Sequence, residues 1–400
     1  LTRTPLVMTS VSAEHLSGKD RSPVLVSSDK RGVRHELRPK LQQITTSETF
    51  NACGRPISGV NGVTIVNGPK GSGFGGLRSC GKGWICPCCA GKVGAHRADE
   101  ISQVVAHQLG TGSVAMVTMT MRHTAGQRLH DLWTGLSAAW KAATNGRRWR
   151  TEREMYGCDG YVRAVEITHG KNGWHVHVHA LLMFSGDVSE NILESFSDAM
   201  FDRWTSKLVS LGFAAPLRRF AEPLPNSDGL DVRKGGLDVR KIGSEDDQVL
   251  ASYLTKIASG VGMEVGSGDG KSGRHGNRAP WEIAVDAVGG DPQALELWRE
   301  FEFGSMGRRA IAWSRGLRAR AGLGVELTDA QIVEQEESAP VMVAIIPARS
   351  WMMIRNCAPY VFGEILGLVE AGATWENLRD HLHYRLPAAD VRPPIISIRK

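Results

Sequence analysis

No stretch of the sequence approaches the 18 or so uninterrupted apolar residues that a membrane-spanning helix requires, and the first thirty residues lack the apolar core of a signal peptide. A cytoplasmic protein without membrane contact is expected. Apolar residues are not scarce, at 42% against 22% charged, and this near-average balance excludes collagen-like, coiled-coil and wholly disordered chains. Two or three domains with a sizeable core fit 400 residues. The chain opens at Leu1 rather than at a methionine, which implies an alternative start codon or a missing start. Acidic residues are in deficit, 42 against 48 Lys and Arg, giving a net charge of +6. Residues 329–400 are slightly acidic, so the excess lies before them and suits a polyanionic partner.

Local composition divides the chain. Residues 1–50 are rich in Ser, Thr, Lys and Arg without a period of 2 or 3.6, and are expected to form a disordered basic arm. Residues 51–100 hold five of the seven cysteines and many glycines, as in a loop-rich, zinc-like module. Residues 101–260 carry the clearest periodicities. A helix over 90–109 leads to a strand over 113–123, with Val114, Met116, Thr118 and Thr120 on one face and Val117, Met119 and Met121 on the other. After a helix over 127–144, strands at 160–168 and 174–184 flank the turn His169–Gly173 as an antiparallel hairpin. A helix over 189–212 places Ile192, Phe196, Met200 and Trp204 four apart, and GLDVRK occurs twice, at 229–234 and 236–241, before a helix over 245–259. The order β, α, β, β, α, β, α predicts an α+β fold, a central antiparallel sheet with flanking helices of the ferredoxin-like kind. A basic helical extension is expected at 261–328 and a C-terminal appendage at 329–400. The appendage has a capping signal at Thr328 and Ile354, Val361, Ile365 and Val369 at helical spacings, and suggests only docking or dimerisation.

The segment WHVHVHALL at 174–182 is the most informative. Alternation across a strand projects His175, His177 and His179 from one face, where they can converge on a divalent metal with a further ligand from a neighbouring strand. Glu166 on the paired strand is the candidate. Downstream, Tyr253 and Lys256 stand three apart in a helical pattern, with Asp246 seven residues earlier on the same side. A phenol near an ammonium and a metal-bound phosphate ionises more easily, as an attacking Tyr must, although such a pair is also an ordinary surface arrangement.

Taken in order, TMTMRH at 118–123, HVHVHALL at 175–182 and SYLTK at 252–256 resemble the three motifs of rolling-circle plasmid replication initiators of the HUH endonuclease superfamily, nearest to those of actinobacterial plasmids. The cysteine block and AWSRGLR at 312–318 resemble the same group. The resemblance implies that His177 and His179 hold Mn²⁺ or Mg²⁺ at the scissile phosphate. It also implies that Tyr253 attacks to give a 5′-phosphotyrosyl linkage and a 3′-OH primer. Glu166 is the chosen third ligand, and His175 is either a fourth ligand or a donor behind the ligands. Some members carry a carboxylate one turn before the Tyr; here Val249 stands there, with Asp246 and Asp247 nearby, which leaves termination in doubt. The partners implied are single-stranded or hairpin origin DNA, a host helicase and replication proteins.

Cys86 and Cys89 form a C-x-x-C pair that can clasp one side of a structural Zn²⁺, with Cys53 and Cys80 closing a four-cysteine site. Cys88 is spare or replaces one of the four, and reduced structural thiols are the alternative. Cys158 and Cys357 read as ordinary packed residues. Arg147, Arg148 and Arg150, and Arg308, Arg309, Arg315 and Arg318, interleave with Trp149 and Trp313 and suit phosphate contact with base stacking; a solvated helix face explains them nearly as well. Competing readings are a non-catalytic, zinc-containing DNA-binding regulator, a metal-dependent hydrolase of small substrates, and a conjugative relaxase-like nickase.

Overall fold

The computed structural model describes residues 30–59, 61–69, 71–218, 235–243, 250, 277–335 and 340–394. Among these, helices α1 (Lys30–Leu41) and α2 (Glu48–Ala52) precede a hairpin of β1 (Val63–Gly68) and β2 (Gly71–Gly75), and then the long helix α3 (Pro87–Thr111). Pro87 suits the first turn of α3, where its missing N–H costs nothing.

The main sheet contains β3 (Ser113–Thr120), β4 (Cys158–Gly170), β5 (Gly173–Phe184), β6 (Leu237–Ile242) and β7 (Ile311–Trp313), all antiparallel, in the order β6-β3-β5-β4-β7. Helices α4 (Leu129–Ala143) and α5 (Gly146–Tyr156) join β3 to β4, and α6 (Glu190–Ser210) joins β5 towards β6. The expected succession β, α, β, β, α, β is therefore present, with α5 inserted and β7 added at the edge of β4. Ser189 starts α6 by accepting a hydrogen bond from the Ile192 N–H.

Alternation sorts each strand between two cores. Val176, Val178, Ala180 and Leu182 of β5 meet Leu132, Leu136 and Ala139 of α4 and Phe196, Met200 and Trp204 of α6. On the opposite face, Val114, Met116, Leu181 and Met183 are covered by Ile101, Val104 and Val105 of α3. Ile192, expected on the buried stripe of α6, is 38% exposed. The second GLDVRK copy supplies β6 at the sheet edge; the first copy and the helix expected at 245–259, apart from Leu250, lie outside the described residues.

Next come α7 (Pro280–Val288), α8 (Pro292–Ser305), α9 (Leu317–Arg320), α10 (Asp329–Glu334), β8 (Val341–Ile346), α11 (Ala348–Cys357), α12 (Val361–Glu370) and α13 (Trp375–Arg385). Three expectations are corrected here. The basic arm is not disordered throughout, because Val33, Leu37 and Leu41, four apart on α1, are fully buried; residues 1–29 lie outside the described set. Residues 51–100 and 329–400 are not separate units, since β8 pairs with β1 to make a β2-β1-β8 sheet over a core with α11 and α12. Within it, Ile354, Val361, Ile365 and Val369 are buried, but on two helices. Cys158 is buried as expected, whereas Cys357 is exposed.

Candidate functional site

β5 runs between β3 and β4, and its register sets Glu166 opposite His177 and Thr118 opposite His179. Nearer Gly173, the face that carries Leu181 and Met183 carries histidines instead. The Nε2 atoms of His177 and His179 lie 2.8 and 2.9 Å from the same oxygen of Glu166, Oε2. Ligand atoms of these three residues fall within 4.8 Å of one another, two imidazoles and a carboxylate converging on one point. Burial alone would raise the Glu166 carboxyl, but its hydrogen bonds with both histidines outweigh this and hold it well below the usual carboxylate range. Burial also lowers His179. On the far side of the imidazoles, His179 Nδ1 is 3.0 Å from Thr118 Oγ1, whereas the buried His177 Nδ1 has no partner among the described residues.

His175, expected as a ligand or as a donor behind the ligands, stands apart from this trio. Its Nδ1 is 2.9 Å from His123 Nε2, and His123 Nδ1 lies 3.0 Å from the Asn172 carbonyl. With the His123 Nδ1–H donating to that carbonyl, Nε2 accepts from His175. Burial, with the neighbouring His177 and His123, pushes His175 down to about 3, so the ring is neutral. Sequence reading missed Thr118 and His123 as partners, although the antiparallel pairing of the two motif strands was a signal for both.

Tyr253, Lys256 and Asp246 lie outside the described residues. Leu250, three residues before Tyr253, is 6% exposed and belongs to the core under α3, on the face that bears the histidines.

A second cluster gathers Cys53 after α2, Cys80 from a loop, and Cys86 and Cys89 at the start of α3, with all four sulfurs within 4.8 Å. Cys53 Sγ is 3.7 Å from Cys86 and 3.8 Å from Cys89, and Cys80 is 3.6 Å from Cys89, far beyond disulfide length. Cys88 turns away to the Arg34 carbonyl, and burial pushes its thiol up to about 11.

The arginines divide. Arg147, Arg148 and Arg150 are exposed along α5, as are Arg309 and Arg315. Arg308 and Arg318, also expected at DNA, are engaged by neighbouring groups of the protein. Arg308 lies over the Trp133 ring and donates to the Gly304 carbonyl, and Arg318 Nη2 is 2.6 Å from Glu100 Oε1. Trp149 is buried against Phe196 and cannot stack on a base, and Trp313 is covered by Arg318.

Residues 77–198 match the family model described as Replication protein; the match takes in Cys80, Cys86, Cys89, Glu166, His177 and His179. "Protein rep" of Streptomyces lividans is 31% identical over 300 residues, covering 62% of this chain and 64% of that protein. "Neomycin resistance protein" of Streptomyces cyanogenus is 34% identical over 137 residues, covering 28% of this chain and 31% of that protein. The chain thus spans less than two thirds of the length of the curated relatives it matches. No solved structure matches. These findings agree with the motif resemblance over residues 77–198, the stretch similar to the replication-protein family.

Proposed function

We propose that this chain initiates plasmid replication by nicking one strand of its origin DNA, with Tyr253 as nucleophile and a divalent cation held by His177, His179 and Glu166. The convergence of those three side chains inside the stretch similar to the replication-protein family carries the reading. Two imidazoles and a carboxylate suit a borderline ion such as Mn²⁺ better than Mg²⁺, which prefers oxygen donors. When bound, such an ion supplies positive charge against a non-bridging oxygen of the scissile phosphate.

The protein's own groups do the positioning. Glu166 spans both imidazoles, Thr118 orients one of them, and the neutral His175–His123 pair borders the site without adding charge. The chain returns to this face at Leu250, three residues before Tyr253 in sequence. The Tyr253 oxygen, once deprotonated, attacks phosphorus, and the bond from phosphorus to the 3′ oxygen breaks. The 5′-phosphate stays on Tyr253 while the departing oxygen takes up a proton as the 3′-OH primer. Lys256 favours the phenolate, and Asp246, seven residues before Tyr253 in sequence, is the carboxylate for proton transfer. Arg147, Arg148, Arg150, Arg309 and Arg315 are available to hold single-stranded or extruded hairpin DNA through its phosphates, while a host helicase supplies unwinding.

The test is to incubate the protein and its Tyr253→Phe variant with single-stranded origin DNA and Mn²⁺, and to look for a denaturation-resistant adduct. An adduct is expected only with Tyr253 and only without chelator. Tight binding of origin DNA with no adduct in any divalent metal would replace this reading with that of a DNA-binding regulator.

A further inference from the structure

The four-cysteine cluster contributes nothing to the nicking chemistry, yet its surroundings are unusual. Arg38, on the last turn of α1, is 3% exposed, and its Nε and Nη2 atoms have no hydrogen-bond partner among the described residues. Its guanidinium lies against Gly54, the residue after Cys53. Gly54 sits at φ +75°, where side chains are disfavoured, and a Cβ there would overlap Arg38 Cζ. The fold thus uses a glycine to admit a buried cation beside a cysteine. A buried guanidinium without hydrogen-bond partners is costly, and four neutral thiols would do nothing to offset it.

The sulfur positions point to what does. A tetrahedron of sulfurs about 2.3 Å from a zinc ion has edges of about 3.8 Å. The observed separations are 3.6, 3.7 and 3.8 Å. That spacing fits one ion, and four thiolates around a divalent ion carry a net charge of −2, four protons having been released on binding. A second buried cation, Arg355 of α11, hydrogen-bonds Gln42, whose Nε2 donates to the Cys53 carbonyl at 2.9 Å.

We propose that Cys53, Cys80, Cys86 and Cys89 hold one zinc ion as a tetrathiolate, and that the buried Arg38 guanidinium balances its negative charge. Cys88 takes no part. Arg38 is a positioning and charge-balancing residue rather than a ligand.

The experiment measures metal in the purified full-length chain by elemental analysis, followed by chelator competition. About one zinc per chain is expected, lost in Cys86→Ser and kept in Cys88→Ser. Arg38→Met, which keeps bulk but removes charge, is expected to surrender zinc at about 10- to 100-fold lower chelator concentration, and Arg38→Lys to recover most of the difference. Should the cysteine variants fail to fold, cobalt exchanged into the wild-type protein must show the visible absorption of tetrahedral cobalt thiolate. Iron in place of zinc, no bound metal, equal loss in Cys88→Ser, or an unchanged Arg38→Met would each overturn the assignment. Because the readout is metal content, its failure would leave the nicking reading standing.

Discussion

Replacing Thr118 with Val tests whether β3 supports the proposed cation site from behind. Only the hydroxyl is lost, in a residue equally suited to a strand, so the pairing of β3 with β5 should survive. What disappears is the partner of His179 Nδ1, 3.0 Å away, which fixes how that ring presents Nε2. A neutral hydrogen bond contributes about 0.5–1.5 kcal/mol, or about 2- to 13-fold in affinity. Groups behind metal ligands are often worth about 10- to 100-fold, but the lower range is expected here because one ligand of three loses support. Glu166 remains, and His177 has no comparable partner to lose among the described residues. Calorimetric titration with Mn²⁺ should therefore show weakened binding for Thr118→Val, near wild-type binding for Thr118→Ser, and none for His179→Ala. Equal affinities of Thr118→Val and wild type, with His179→Ala inactive, would refute a role for β3 in orienting the ligand.

Two further outcomes are expected. His35, on α1 against Phe74 and Phe362, is held well below its ordinary value by burial and by the charges of Arg38, Arg34, Lys92 and Arg31, so it folds neutral. Its contribution to stability is present above the unfolded value of about 6.5 and is lost as pH falls below it, by at most about 1.4 kcal/mol per unit. Urea unfolding at pH 7.5 and 5.5 should show a larger acid loss in wild type than in His35→Gln, and equal losses would contradict the assignment. Changing the exposed Arg147, Arg148 and Arg150 together to Ala should weaken single-stranded DNA binding and flatten its log-log salt dependence by about 2 if all three touch phosphates; an unchanged slope would remove α5 from the DNA path.

The central sheet was legible because alternation in SVAMVTMT and GWHVHVHALLMF is strict enough to assign both faces, and a hairpin brings Glu166 beside the histidines without long-range information. The cysteine set followed from spacing. Fates decided by distant neighbours were hidden: Arg318 is captured by Glu100, Arg308 lies over Trp133, and His175 turns to His123. Helix α1 escaped notice because charged residues separate its buried Val33, Leu37 and Leu41. The partnership of β1 with β8 leaves no local pattern, since each strand alone is a short apolar run.

That pairing also bears on the order in which the protein is made. Val63 meets Ile346, and the Gly54 carbonyl accepts from Trp351 Nε1 at 2.8 Å, so β1 waits for a segment far downstream to leave the ribosome. Until then Val63 and Ile65 remain uncovered on an open strand edge. The edge opened at β1 is thus closed only by β8, a clasp made long after the strand it fastens.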